Sequence, residues 1–257
     1  MMSETGMLPL SFFCAPFYPV NEGLQGVLGS RHVTGDLMRT VVFDLDGTLA
    51  DTSADLLAAA NACFADLGHR AVLRPGDALT AFQGGRAMLR LGFARLGLVW
   101  TETDVSREYP RLLAAYAERI DRETRMYPGA VVAVEALRAA GFRTAICTNK
   151  PEALAEELLR RLGVRRLFGS LVGADTLVVR KPDPAPYHLA VDRAGGVAGR
   201  SMLVGDTETD RLTGRAAGVP VALVTFGPEG AGVARLAPEA LLERFEDLPE
   251  LASRLVP

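Results

Sequence analysis

The chain has 257 residues, 49% apolar and 23% charged, with a formal net charge of −3, the make-up of a globular enzyme with room for a sizeable core. That balance excludes a strongly basic nucleic-acid footprint, and no apolar run reaches the roughly 20 residues a membrane-spanning helix needs. Cys14, Cys63 and Cys147 are odd in number and far apart, which argues against a disulfide framework and for a reducing, cytoplasmic setting; His32, His69 and His188 are too scattered to propose a zinc site.

Residues 1–37 read as an N-terminal extension, disordered or loosely packed. The apolar stretch Leu8–Val20 is broken by Pro9, Pro16 and Pro19, and the first cation, Arg31, comes after it, so a secretory signal is not expected. Regular patterning begins near Met38. Thr40–Leu45 is an apolar strand that ends in acids. From Ser53 to Arg125 no strand signal is present. Leu56, Leu57, Ala60, Cys63, Phe64 and Leu67 share one helical face, and Ala87–Leu96 and Arg111–Ile120 continue the helical pattern, with Pro110 expected to start or kink the last helix. A helical insert of about 70 residues is too long for an ordinary connection. We therefore expect a helical domain over residues 53–125 inside a core of 38–52 and 126–257.

The core then alternates. A helix over Val131–Ala140 stops at Gly141, a strand spans Arg143–Cys147, and a helix over Glu152–Leu162 stops at Gly163. Next come a strand at Gly169–Val172 and a helix at Pro184–Ala194, with proline where a missing N–H is tolerated. The strand Met202–Val204, the helix Glu208–Ala217 ending at Gly218, the strand Val219–Val224 and a helix at Leu248–Leu255 complete the pattern. Short apolar strands alternating with helices predict an α/β, doubly wound, Rossmann-like parallel sheet covered on both faces.

Four candidate chemical sites fall at strand ends. Asp44 and Asp46, in the run FDLDGT, alternate on a strand and so can share one face, where open α/β sheets bind ligands; the plain alternative is a strand running into an acidic turn. Thr148-Asn149-Lys150 offers a hydroxyl and backbone N–H groups to an anion, or simply caps a helix. Lys181 sits in a proline-stiffened loop, Lys181-Pro182-Asp183-Pro184; the plain alternative, a surface loop with a solvated lysine, is weakened by the rarity of lysine in this chain. Asp206 and Asp210 bracket a helix start, where carboxylates complement the helix dipole or join a hard-cation site. Among the 28 Lys and Arg residues only Lys150 and Lys181 are lysine; in so arginine-rich a chain, a retained lysine points to a need for a compact ammonium.

In this order, from about Arg39 to Leu251, the segments FDLDGTLADTSADL, YPGAVVAVEALRAAGFRTAICTNK, RKPDPAPYHLAV and GDTETD resemble the haloacid dehalogenase superfamily, and more narrowly its phosphoglycolate phosphatase-like branch. The resemblance implies a phosphatase in which Asp44 attacks phosphorus to form an aspartyl-phosphate and Asp46 protonates the leaving oxygen and later activates water. It also implies Mg²⁺ held by Asp44, the Asp46 carbonyl and Asp206, with Asp210 supporting or ligating. Thr148 and Asn149 would hold phosphate oxygens, Thr48 would lie at the substrate, and Lys181 would offset negative charge.

The insert resembles the family's mobile cap. In its Gln83-Gly84-Gly85-Arg86 segment, Gly85 and Arg86 are candidates for contact with the leaving group, Arg86 suiting a small carboxylate; an ordinary loop before a helix fits that segment as well. The expected substrate is a small phosphate monoester, 2-phosphoglycolate first, handled by a monomer or homodimer with no nucleic-acid or membrane partner. Asp46 disfavours the dehalogenase and ion-pump branches, and the absence of lysine from residues 51–130 disfavours Schiff-base phosphonate cleavage. A sugar-phosphate phosphatase, a pyrophosphatase and a β-phosphoglucomutase-like mutase stay open. A binding protein without turnover is disfavoured because the nucleophile, its partner acid and the metal acid are all present.

Overall fold

The computed structural model describes residues 38–257, and the extension expected over residues 1–37 lies outside them. The elements run β1 (Thr40–Phe43), β2 (Ala50–Asp51), α1 (Ser53–Asp66), α2 (Ala78–Phe82), α3 (Gly85–Arg95), α4 (Glu102–Ala117), β3 (Arg125–Met126), α5 (Ala130–Ala139) and β4 (Arg143–Cys147). They continue with α6 (Glu152–Arg161), β5 (Ser170–Val172), α7 (Ala185–Arg193), β6 (Ser201–Gly205), α8 (Glu208–Ala217), β7 (Val221–Val224), β8 (Ala240–Leu242) and α9 (Leu248–Leu255).

Six strands form one sheet in the order β5-β4-β1-β6-β7-β8, with every pairing parallel. β1 shows why the sheet is covered on both faces. Its side chains alternate, so Val41 and Phe43 join the apolar cluster containing α5, α6 and α9, while Val42 joins the cluster built on Tyr187 and Val191 of α7. From β1 the chain runs to β4 and β5 on one side and then crosses back to β6 on the other. The carboxyl ends of these three central strands therefore open onto one crevice, the position at which such sheets bind ligands.

Helices α1–α4 occupy the stretch between β2 and β3, and these two short strands pair antiparallel as its stalk. Asp55, buried in the first turn of α1, closes the base: its Oδ2 accepts from the Glu123 N–H, the Thr124 N–H and the Thr124 hydroxyl, each at 2.9 Å. Entry and exit of the insert are thus tied by one carboxylate.

Pro110 does not start the last helix of the insert. The helix expected over Arg111–Ile120 begins at Glu102, where Thr101 and Asp104 form a capping box, and it continues through Pro110. A mid-helix proline costs about 3 kcal/mol, and burial of Val105, Leu112 and Tyr116 along one face of α4 opposes that cost. The short α2 and β8, and the stalk strands, were not expected because they are too brief for a period to register.

Candidate active site

Asp44 follows β1 directly, and its N–H bonds to the Val204 carbonyl at 2.9 Å, continuing the ladder with β6. The Asp44 Oδ1 accepts the Leu45 N–H at 2.7 Å and lies 3.1 Å from the Lys181 ammonium. Lys181 also donates to Asp210 Oδ1 at 2.7 Å. The other Asp210 oxygen, Oδ2, accepts the N–H groups of Asp206 and Thr207 at 3.2 and 3.1 Å and the Thr207 hydroxyl at 2.9 Å. One side chain, Asp210, therefore completes the capping box of α8 and anchors the site ammonium.

Asp206, at the end of β6, accepts the Thr48 hydroxyl on Oδ1 at 2.8 Å, while its buried Oδ2 has no hydrogen-bond partner. Gly47, with φ of +82°, lets the chain turn at this point; a Cβ there would stand 2.4 Å from that Oδ2. Asp44, Asp206 and Asp210 each place a carboxylate oxygen within 4.8 Å of the others, among the described residues.

Three acids this close need a counter-charge. Burial raises the Asp44 carboxyl to about 6; Lys181 draws it back, while Asp210 and Asp46 push it up. Asp206 is held well above the usual carboxylate range by burial and by the charges of Asp210 and Asp44. Burial works against the Lys181 ammonium, yet Asp210 and Asp44 outweigh it and keep that group charged. One lysine does not neutralise the cluster. An all-oxygen donor set with an orphaned buried carboxylate oxygen suits a hard divalent cation.

Of the acid cluster, Asp44 lines a cavity of about 430 Å³ between the sheet and the insert, while Asp206 and Asp210 are not part of its lining. Asp44, Asp46, Thr148, Asn149, Lys150, Arg180 and Lys181 line it from the core, and Gln83, Gly85, Arg86, Arg90 and Tyr109 from the insert. Arg86 lies over the Tyr109 ring at 4.6 Å and donates to the Ser106 hydroxyl at 3.1 Å. Asn149 donates from Nδ2 to the Lys181 carbonyl at 3.0 Å, steadying the loop that carries the lysine. Pro151, not Thr148 or Asn149, occupies the N-cap position of α6, so neither of those residues serves as its cap. Thr48, expected at the substrate, is not part of the cavity lining, because its hydroxyl is turned onto Asp206.

Sequence reasoning singles out Lys150 but not its partner, and it misses Tyr116. Lys150, one of the two retained lysines and the end of the Thr148-Asn149-Lys150 run, donates from its ammonium to both oxygens of Asp46, at 2.8 and 3.1 Å. Tyr116 of α4 presents its ring to that ammonium at 4.3 Å. The available signal was lysine rarity: both lysines of the chain are buried beside a site carboxylate.

Among the described residues no helix is long and apolar enough to cross a membrane, and Cys63 and Cys147 are buried free thiols. A family model described as haloacid dehalogenase-like hydrolase matches residues 38–218. The chain is 38% identical over 216 residues to a phosphoglycolate phosphatase of Agrobacterium fabrum, covering 84% of this chain and 93% of that one. It is 39% identical over 217 residues to a phosphoglycolate phosphatase of Mesorhizobium japonicum, covering 84% and 96%. Its fold is that of the crystal structure of a predicted phosphoglycolate phosphatase from Haemophilus somnus, at a TM-score of 0.73, 24% identity, and 83% and 97% coverage. The chain belongs to the haloacid dehalogenase-like hydrolases. Within that family its relatives place it with the phosphoric monoester hydrolases.

Proposed function

We propose that this protein is a Mg²⁺-dependent phosphatase of small phosphate monoesters, with 2-phosphoglycolate its leading substrate. The observation that carries the reading is the Asp44 carboxylate, which lines the cavity, is held by Lys181 and clusters with a buried Asp206 oxygen that lacks any partner. The relatives' shared name points to the particular ester. A small substrate suits a cavity of about 430 Å³ that an arginine-bearing insert overhangs.

The Leu45 N–H and Lys181 fix the Asp44 carboxylate through Oδ1, which orients its second oxygen for attack. In the first step the Asp44–phosphorus bond forms as the ester P–O bond breaks. The electron pair of that bond stays on the leaving oxygen, which takes a proton from Asp46. In the second step water attacks phosphorus, Asp46 accepts its proton, and Asp44 is released with phosphate. Thr148 and the backbone at Asn149 hold phosphate oxygens, and Lys181 balances charge on the nucleophile and phosphoryl group. Asp44, the Asp46 carbonyl and Asp206 would hold Mg²⁺, which would offset the repulsion between acids and phosphate. Asp210 positions Lys181. The insert acts as a cap, and Arg86 receives the substrate carboxylate by leaving Ser106.

Phosphate release from a panel of small esters, compared by kcat/KM with and without Mg²⁺, tests the reading. Metal-dependent preference for 2-phosphoglycolate supports it. A flat profile or metal-independent turnover overturns the substrate or the cation assignment respectively.

A further inference from the structure

Asp46 is held by more than its own loop. Its Oδ1 accepts the Thr52 hydroxyl at 2.6 Å and the Lys150 ammonium at 2.8 Å, and its Oδ2 lies 3.1 Å from the same ammonium. Thr52 stands just after the stalk strand β2, and Lys150 follows β4, so the carboxylate is fixed from two separate elements. Lys150 is itself confined. Its side chain is 3% exposed, its backbone N–H donates to the Thr148 hydroxyl at 3.2 Å, and its ammonium faces the ring of Tyr116, a buried residue of the insert. A desolvated cation over an aromatic face is held by both charge and shape. With two of its three donors on Asp46, this ammonium is directed at the acid, whereas Lys181 is directed at Asp44 and Asp210.

We infer that Lys150 is the positioning residue for Asp46, and that Tyr116 makes the seating of that ammonium depend on the insert. The inference rests on the proposed role of Asp46 as proton donor to the leaving oxygen. A lysine that only attracted phosphate would affect every ester alike. One that places the proton donor matters in proportion to how much the leaving group needs the proton.

The test compares kcat/KM for an alkyl ester, 2-phosphoglycolate, with that for dinitrophenyl phosphate, whose leaving group departs without protonation. In Lys150→Met the alkyl ester should lose about 10²-fold while the dinitrophenyl ester changes by less than about threefold, because kcat/KM reports the step that expels the leaving group. Retained dinitrophenyl activity also shows that the variant folds. Equal losses on both esters, or faster alkyl turnover, overturn the inference. Asp46→Asn, measured alongside, separates the two levels: if it does not discriminate between the esters, the proton-donor reading fails; if it does and Lys150→Met does not, only the inference on Lys150 fails. Tyr116→Leu should discriminate in the same direction by a smaller factor and add nothing to Lys150→Met in the double variant. An additive or ester-independent effect of Tyr116→Leu removes the insert from the account.

Discussion

Asp210 has no oxygen free: one faces the Lys181 ammonium and the other gathers the donors at the start of α8. Replacing it by asparagine necessarily turns an amide donor toward other donors at one of these places. Asp210→Asn should lower stability by about 3 kcal/mol, the scale of removing one partner from a buried charge, and lower kcat as Lys181 loses its anchor. Denaturant unfolding and steady-state rates check the two effects. Asp44→Asn is expected to behave differently. It removes the proposed nucleophile but also a carboxyl that burial destabilises, so turnover should vanish while the thermal midpoint holds or rises. Substantial residual phosphate release from Asp44→Asn sinks the nucleophile assignment.

At the level of elements, the insert is held by close packing as well as by the Asp55 staple. Gly92 of α3 leaves room for the ring of Phe64 on α1; a Cβ at Gly92 would lie 2.1 Å from that ring, and Phe64 is fully buried. Gly92→Ala gains about 1 kcal/mol of helix propensity, but overpacking costs about 1–3 kcal/mol where the neighbour cannot withdraw. We expect net destabilisation, visible as a lower urea midpoint, whereas a gain in stability would show that α1 and α3 can slide apart. The same packing keeps α4 helical across Pro110 and carries Tyr116 to the site.

For the molecule as a whole, the acid cluster links pH, cation and stability. A carboxyl whose folded value is raised binds its proton more tightly in the native state, so its contribution is full below the ordinary value near 3.8 and is lost as pH rises to about 6. Above that range the metal-free fold carries a penalty of about 3 kcal/mol from Asp44, and Asp206 adds in the same direction. A divalent cation needs the ionised acids, so the rise in Tm on adding Mg²⁺ should be larger at about pH 8 than at about pH 5. Equal shifts at both pH values, or none, would remove the cation from this cluster. Asp206→Asn should abolish most of the Mg²⁺ shift and raise the Tm of the metal-free protein.

The doubly wound sheet, the helical insert and the strand-end acids were legible because they depend on local periods. Alternation buries β1 on both faces, glycines stop helices, and Asp44 and Asp206 stand where apolar runs end. Residue types and spacing along the chain therefore determined the class of chemistry. Contacts between distant segments decided the rest. Asp46 and Lys150 are 104 positions apart, and Tyr116 reaches them only because the insert folds back over the crevice, so no local period records their meeting. Thr48 turning onto Asp206, and Asp210 serving a helix and a lysine together, likewise follow from which donors lie nearest once the sheet has assembled. Burial then sets the charge balance, because the cost of an unpaired carboxylate depends on the water that tertiary packing excludes.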